Sequence, residues 1–368
     1  MLSDGERLLS SIEVVQSVEP MDADNLEAVL IRGWRVVVKK GEFMPGDKVV
    51  FIEVDAALPL SDPRFEFLGA RGTKTVGGQK VHVLRTAKLR GVYSQGIVFP
   101  ISEFPELTQV APEQFDHILG IFKYEPPAPF AANAKGNFPR YLHKTDAERV
   151  QNLSDEDWAV IQGEPVGSWI PTEKVDGSSV TIWRDTPGKA ADTLDPGLTR
   201  LEIAAEMTTT LPLRVASRNL ELVPTDTGAH VQAARKFVAP HLLPGQWVQA
   251  EVAGPGIQGN TLKLPAQRLF VFGFGNHNST DMSGFQPLPL ADWPQWAQQL
   301  APPRYDLPLP ASQQDAIKQV DKLKSLVNPA VPAEGIVWTH RDAKRFPQLG
   351  DRYVWKSINP YYLLKHGG

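Results

Sequence analysis

Between about residues 10 and 105, hydrophobic and polar positions fall into short β-branched runs at 11–15, 28–31, 35–38, 48–52, 80–84 and 96–99. Turn signals such as Met44-Pro45-Gly46-Asp47 and Gly77-Gly78 separate them. Short runs of this kind, punctuated by Pro, Gly and Asp, predict strands joined by tight turns. Four to six such strands in under about 110 residues predict a small OB-like β-barrel, a shape that grips nucleic-acid strands or serves as plain structure.

The pattern changes after Tyr124. The stretch Glu125-Pro126-Pro127-Ala128-Pro129-Phe130, followed by small and polar residues to Gly136, reads as a semi-rigid linker. Beyond it, strands are expected at 179–183, 246–251, 269–274, 335–338 and 352–355, and helices at 230–238 and 312–326. Thr145 or Asp146 is expected to cap a helix running to Asn152. Ser154 and Asp157 form the S-x-x-D version of a capping box. Strands interrupted by helices, without βαβ alternation, place the chain in the α+β class.

Composition narrows the classes. A chain of 368 residues exceeds the usual single-domain size, and 42% hydrophobic residues can fill two cores. No apolar run approaches the roughly 18 residues of a membrane span, and the start of the chain lacks a signal-peptide layout, so no membrane partner and a cytoplasmic setting are expected. The absence of cysteine excludes disulfides, thiolate zinc sites and cysteine nucleophiles, and the eight histidines show no H-E-x-x-H spacing. A net charge of −4 means that any nucleic acid has to be held by local basic patches.

The chemistry-bearing motifs lie in the second half. Lys174 sits in Glu173-Lys174-Val175-Asp176-Gly177-Ser178, followed in order by Ala216-Ser217-Arg218-Asn219, then Ala250-Glu251 leading into Gly254-Pro255-Gly256-Ile257-Gln258-Gly259-Asn260. The aromatic run 269–274, Ala333-Glu334-Gly335-Ile336-Val337 and Tyr353-Val354-Trp355-Lys356-Ser357 complete the set. Lys-x-Asp-Gly alone is weak and fits a hairpin turn equally well; six elements in order are not. The glycines at 254, 256 and 259 have dinucleotide-motif spacing but no crossover helix with a ribose-binding acid, and no Walker A loop is present.

This series resembles the covalent nucleotidyltransferases, which comprise DNA ligases, RNA ligases and capping enzymes. The long third motif and the segment 144–152 are similar to those of ATP-dependent RNA ligases of the Deinococcus and Naegleria types, which carry their OB domain in front. Only 12 residues follow Lys356, where a DNA ligase or capping enzyme carries a C-terminal OB domain. The resemblance implies an OB-like nucleic-acid-binding domain over 1–122, a linker over 123–137 and an adenylyltransferase domain over 138–368. The latter would be an ATP-grasp-like ligase fold of antiparallel sheets with flanking helices.

The resemblance also assigns roles. Lys174 is the expected nucleophile; its amine attacks phosphorus only when unprotonated, so burial and the cations Lys356 and Arg218 are expected to lower its pKa and then hold the AMP phosphate. Glu251 is expected on a ribose hydroxyl, Glu334 on Mg2+ or Mn2+, and Phe272 under adenine, with Phe270 and Phe274 left to the core. Asp176 and Gly177 shape the turn, Glu173 joins the nucleotide contacts, and Arg149 with Asn152 are candidate nucleic-acid contacts. The second lysine of the usual Lys-x-Lys fifth motif is missing, since Val354 and Ile358 flank Lys356; Lys344, Arg345 or Arg352 would replace it. The expected function is a monomeric ATP-dependent RNA ligase that joins a 3′-hydroxyl to a 5′-phosphate at nicks in RNA or RNA/DNA duplexes. The alternatives are a DNA ligase or other nucleotidyltransferase, or a non-catalytic nucleic-acid-binding protein.

Overall fold

The computed structural model describes residues 2–3, 6–124, 134–144, 147–186, 211–223, 225, 227–278 and 282–366. The fold is α+β. In the first domain, Lys48–Ile52 lies between Ile97–Pro100 and Ser10–Val14, and a second three-stranded ladder runs Ser17–Pro20, Leu26–Ile31, Trp34–Lys39. Alternation explains the packing: in Trp34–Lys39 the residues Trp34, Val36 and Val38 are buried, while Arg35 and Val37 are half-exposed and Lys39 is exposed. The strands form separate ladders rather than one continuous closed sheet, and two hydrophobic clusters fill the space between them.

A third ladder in this domain runs Phe122–Lys123, Ala56–Pro59, Gln79–Val83, Lys74–Val76. Lys123, expected in the linker, thus continues a sheet of the first domain. Ala134–Asn137, at the linker's other end, pairs with Leu220–Leu222 and adds a strand to the second domain. Residues 125–133, the middle of the expected linker, lie outside the described residues, as do the expected cap residues Thr145 and Asp146.

Among the described residues the second domain has two sheets. The larger runs Ala134–Asn137, Leu220–Leu222, Arg214–Ala216, Ser178–Trp183, Gln246–Ala253, Arg268–Asn276, Gln286–Pro287, antiparallel throughout. The smaller runs Glu148–Arg149, Val354–Ile358, Gly335–His340, Trp169–Glu173, with its first pair parallel. The helix expected to reach Asn152 is instead that short edge strand followed by a 3-10 turn at Val150–Asn152. Pairing of Arg149 with Lys356 takes these backbone groups into the sheet, and Gln151 and Val150 are buried beneath it. The Asp155–Gly163 helix has the expected box, with Ser154 Oγ accepting from Asp157 N and the Asp157 carboxylate accepting from Ser154 N. The helix expected over 312–326 stops at Val320.

Candidate active site

Strand alternation positions the nucleophile. In Trp169–Glu173 the residues Trp169, Pro171 and Glu173 are buried on one face, so Lys174 follows Ile170 and Thr172 on the other. The Lys174 N–H donates to Gly335 O at 2.9 Å, which holds the residue beside the strand that begins with Gly335. Its ammonium donates to Glu334 Oε1 at 2.6 Å. Lys356 extends from the neighbouring strand, half-buried between Trp355 and Ser357.

The charge around Lys174 differs from the expectation. Burial by itself lowers the amine's pKa, but Glu334, Glu251 and Asp176 outweigh it and hold the ammonium above the ordinary lysine value. Lys356 acts on Glu334, and Arg218 acts on Glu251. Carboxylates, not cations, are therefore the charges that govern Lys174 here. Glu251 itself is pushed up to about 8, first by burial and then by Glu334 and Asp176 working against Lys174.

Glu173 was expected among the nucleotide contacts, but its side chain is turned to the opposite face. Its buried carboxylate accepts from Ser325 Oγ at 2.5 Å and from Leu326 N and Val327 N at 2.6 and 3.0 Å, fixing the loop under the lysine. Asp176 accepts from Tyr362 Oη at 2.5 Å and from Thr261 Oγ1, which ties the turn to the Pro360–His366 helix and to the loop before the 268–276 strand. Gly177 is required by contact: a Cβ there would lie 2.3 Å from Val252 O and 3.0 Å from Glu251 Cγ. Tyr362 and Thr261 escaped the sequence reading. Tyr362 lies among apolar residues, and nothing in the sequence pattern turns its hydroxyl toward Asp176.

Lys174, Glu334, Lys356, Arg218 and Arg149 line one cavity of about 1150 Å³ that both domains enclose. Eight basic side chains face five acidic ones around it, so the wall is positive although the chain is negative. Arg218 reaches it from the turn between the Arg214–Ala216 and Leu220–Leu222 strands. Of the three substitutes for the missing lysine, Arg345 and Arg352 line the cavity. Lys344 pairs instead with Glu164, drawn aside toward the 155–163 helix.

Phe270 and Phe274 are 2% and 1% exposed, whereas Phe272 is half-buried. A register shift opposite Gln249 and Ala250 makes Phe272 the extra residue of the strand, and its ring lines a small cavity with Ile170 and Thr172, next to rather than inside the large one. Asn152 is taken up within the protein: its Oδ1 accepts from Trp34 Nε1 at 2.8 Å and its amide donates to Glu148 at 3.0 Å. Arg149 donates to Asp55 at 2.8 Å and lies 5.6 Å from the Trp34 ring centre. Both residues thus join the domains, and only Arg149 also faces the cavity.

The site suits a divalent cation in a specific way. Among the described residues, Glu334 Oε2 is buried and accepts no hydrogen bond, an oxygen that a hard cation would satisfy. No cluster of three or more His, Cys, Asp or Glu occurs among them. No helix among them is long and apolar enough to cross a membrane.

Comparison with known proteins follows the same lines. A family model described as an OB-fold domain matches residues 9–101. Solved structures of Naegleria gruberi RNA ligase superpose along nearly the whole chain. They include a mutant with ATP and Mn, a mutant with AMP and Mn, and the enzyme with PPi. Each is 30% identical and covers 98% of this chain and 99% of its own, with TM-scores of 0.76, 0.76 and 0.74. A search of curated proteins found no match. Similarity at this identity and coverage, on a site with the motif residues gathered around Lys174, makes the chain a member of the Naegleria-type ATP-dependent RNA ligase family.

Proposed function

We propose that this protein seals a 3′-hydroxyl RNA end to a 5′-phosphate end at nicks in duplexes, using ATP and Mg2+ or Mn2+, through a lysyl-AMP and an AMP-polynucleotide intermediate. The observation that carries the reading is the Lys174 amine, paired with Glu334 and set in a basic cavity wide enough for a nucleotide and a strand end. In the first step Lys174 Nζ, having released a proton to solvent water, forms a bond to the α-phosphorus of ATP as the bond to pyrophosphate breaks. Lys356 and Arg218 then balance the phosphate charge, Arg345 and Arg352 supply the positive charge of the absent second lysine, and Glu251 accepts from a ribose hydroxyl. Phe272 supports adenine and Asp176 keeps the Lys174 turn in place. A cation on Glu334 would draw that carboxylate's charge away from the ammonium and offset the phosphates.

The 5′-phosphate oxygen next displaces Lys174 from the AMP phosphorus, and the 3′-hydroxyl finally displaces AMP. We assign the leading domain, about residues 1–122, to the nucleic acid and residues 138–368 to chemistry. Sealing of a nicked duplex with either a ribose or a deoxyribose 3′-end tests this. The ribose end should be sealed faster, and equal rates would overturn RNA specificity.

A further inference from the structure

The large cavity has a second wall, made by the first domain, that the chemistry above does not use. Val76, Phe122, Lys123 and Tyr124 line it together with Lys174. They come from the ladder Phe122–Lys123, Ala56–Pro59, Gln79–Val83, Lys74–Val76 and its adjoining residue. This ladder has a small hydrophobic cluster: Ala57, Val81 and Val83 are buried, while Val76, Phe122 and Tyr124 pack against them only in part. Their remaining surface faces the cavity. Lys74 Nζ lies 4.4 Å from the Tyr124 ring centre and donates to its hydroxyl at 3.2 Å, so an ammonium is fixed at the ring. Lys74 and Lys123 are both exposed.

Phe122 and Tyr124, two residues apart, share a sheet face with Lys74, while Lys123 alternates to the other face; aromatic rings beside an ammonium group form the arrangement that holds a single polynucleotide strand, the rings stacking bases and the ammonium following phosphates. Nucleotide alone does not account for it. The cavity of about 1150 Å³ exceeds the usual 300–1,000 Å³ of a small-molecule site. Resting on the ligase reading, we propose that Phe122 and Tyr124, with Lys74 beside them, form a stacking seat that holds the unpaired part of the substrate strand leading to the end joined at Lys174.

The test measures two things on each variant: AMP loading from labelled ATP, and binding of a fluorescent single-stranded RNA with a 5′-phosphate by anisotropy at several salt concentrations. Tyr124→Ala should load AMP like the wild type and weaken strand binding by roughly 5- to 150-fold, the equivalent of about 1–3 kcal/mol for one stacked base. Tyr124→Trp, which keeps a stacking surface, should bind like the wild type. Lys74→Ala should reduce the slope of log Kd against log salt by about one phosphate contact, a readout that does not depend on Tyr124→Ala folding. Tyr124→Ala that loads AMP and binds the strand at wild-type strength overturns the seat, as does an unchanged salt slope in Lys74→Ala. A wild-type protein that binds the strand through these residues yet takes no label would sink the ligase reading and leave the seat standing.

Discussion

Gly177→Ala is the sharpest probe of how the nucleophile turn is seated. The added methyl group would stand 2.3 Å from Val252 O, where ordinary contact begins near 3.4 Å, and 3.0 Å from Glu251 Cγ. Relief requires the turn and the Gln246–Ala253 strand to separate by about 1 Å, and overpacking of this kind costs about 1–3 kcal/mol. For a domain of this size that lowers Tm by about 2–12 °C. The larger effect is chemical, because the strand being pushed carries Glu251 and the turn carries Lys174. A displacement of about 1 Å at a reacting group slows reaction by about 100-fold. Single-turnover AMP loading and thermal melting read the two effects separately. Gly163→Ala is the control, since a Cβ there meets nothing within 4 Å. A Gly177→Ala enzyme that melts with the wild type and loads AMP at the wild-type rate refutes the close-approach argument.

Other outcomes follow from the same geometry. Tyr362→Phe removes a hydroxyl from Asp176 and should slow AMP loading more than it weakens ATP binding, with loading kinetics against ATP concentration as the measurement. Trp34→Phe deletes the donor to Asn152 across the domains and should lower stability by at least about 0.5–1.5 kcal/mol in urea unfolding; an unchanged midpoint counts against the contact. Burial opposes ionisation of Asp185 and Glu221, but Arg214 outweighs it and holds both below the usual carboxylate range. Their stabilisation is therefore present above about pH 4, the unfolded value, and is lost as pH falls through the lower folded values. Arg214→Met should flatten that acid limb in unfolding midpoints taken against pH. EDTA should stop AMP loading and lower Tm only slightly, because without metal Lys174 satisfies Glu334 Oε1 and only Oε2 is left unpartnered; a large fall in Tm would point to a structural ion instead.

What could be read from the sequence was what local pattern controls. The run at 48–52 appears as the strand Lys48–Ile52, since β-branched alternation and flanking turns agree there. Ala56–Pro59 was missed because Ala, Leu and Pro carry little strand signal, and its four buried residues are held by pairing with distant strands. The helix expected to follow Ser312 was drawn six residues too long: beyond Val320 the chain turns through Lys322, at φ 58, to pair Lys324 with Pro332. At the site, the motifs named Lys174, Arg218, Glu334 and Lys356, which line one cavity, but not the turning away of Glu173 or which charges dominate. Lys344 and Arg345 are neighbours in sequence, and only Arg345 enters the cavity because Glu164, from another element, claims Lys344. In the same way, residue types suggested cations around Lys174, while the fold places Glu334 at 2.6 Å.

The central claim is that Lys174 carries AMP and hands it to a nucleic-acid 5′-phosphate. Intact-protein and peptide mass spectrometry after incubation with ATP and Mg2+, followed by a chase with nicked duplex, tests it directly. The account predicts one AMP on the peptide containing Lys174, lost on the chase as AMP-capped strand and then sealed product form. AMP on another residue, or an adduct on Lys174 that persists through the chase, would contradict it.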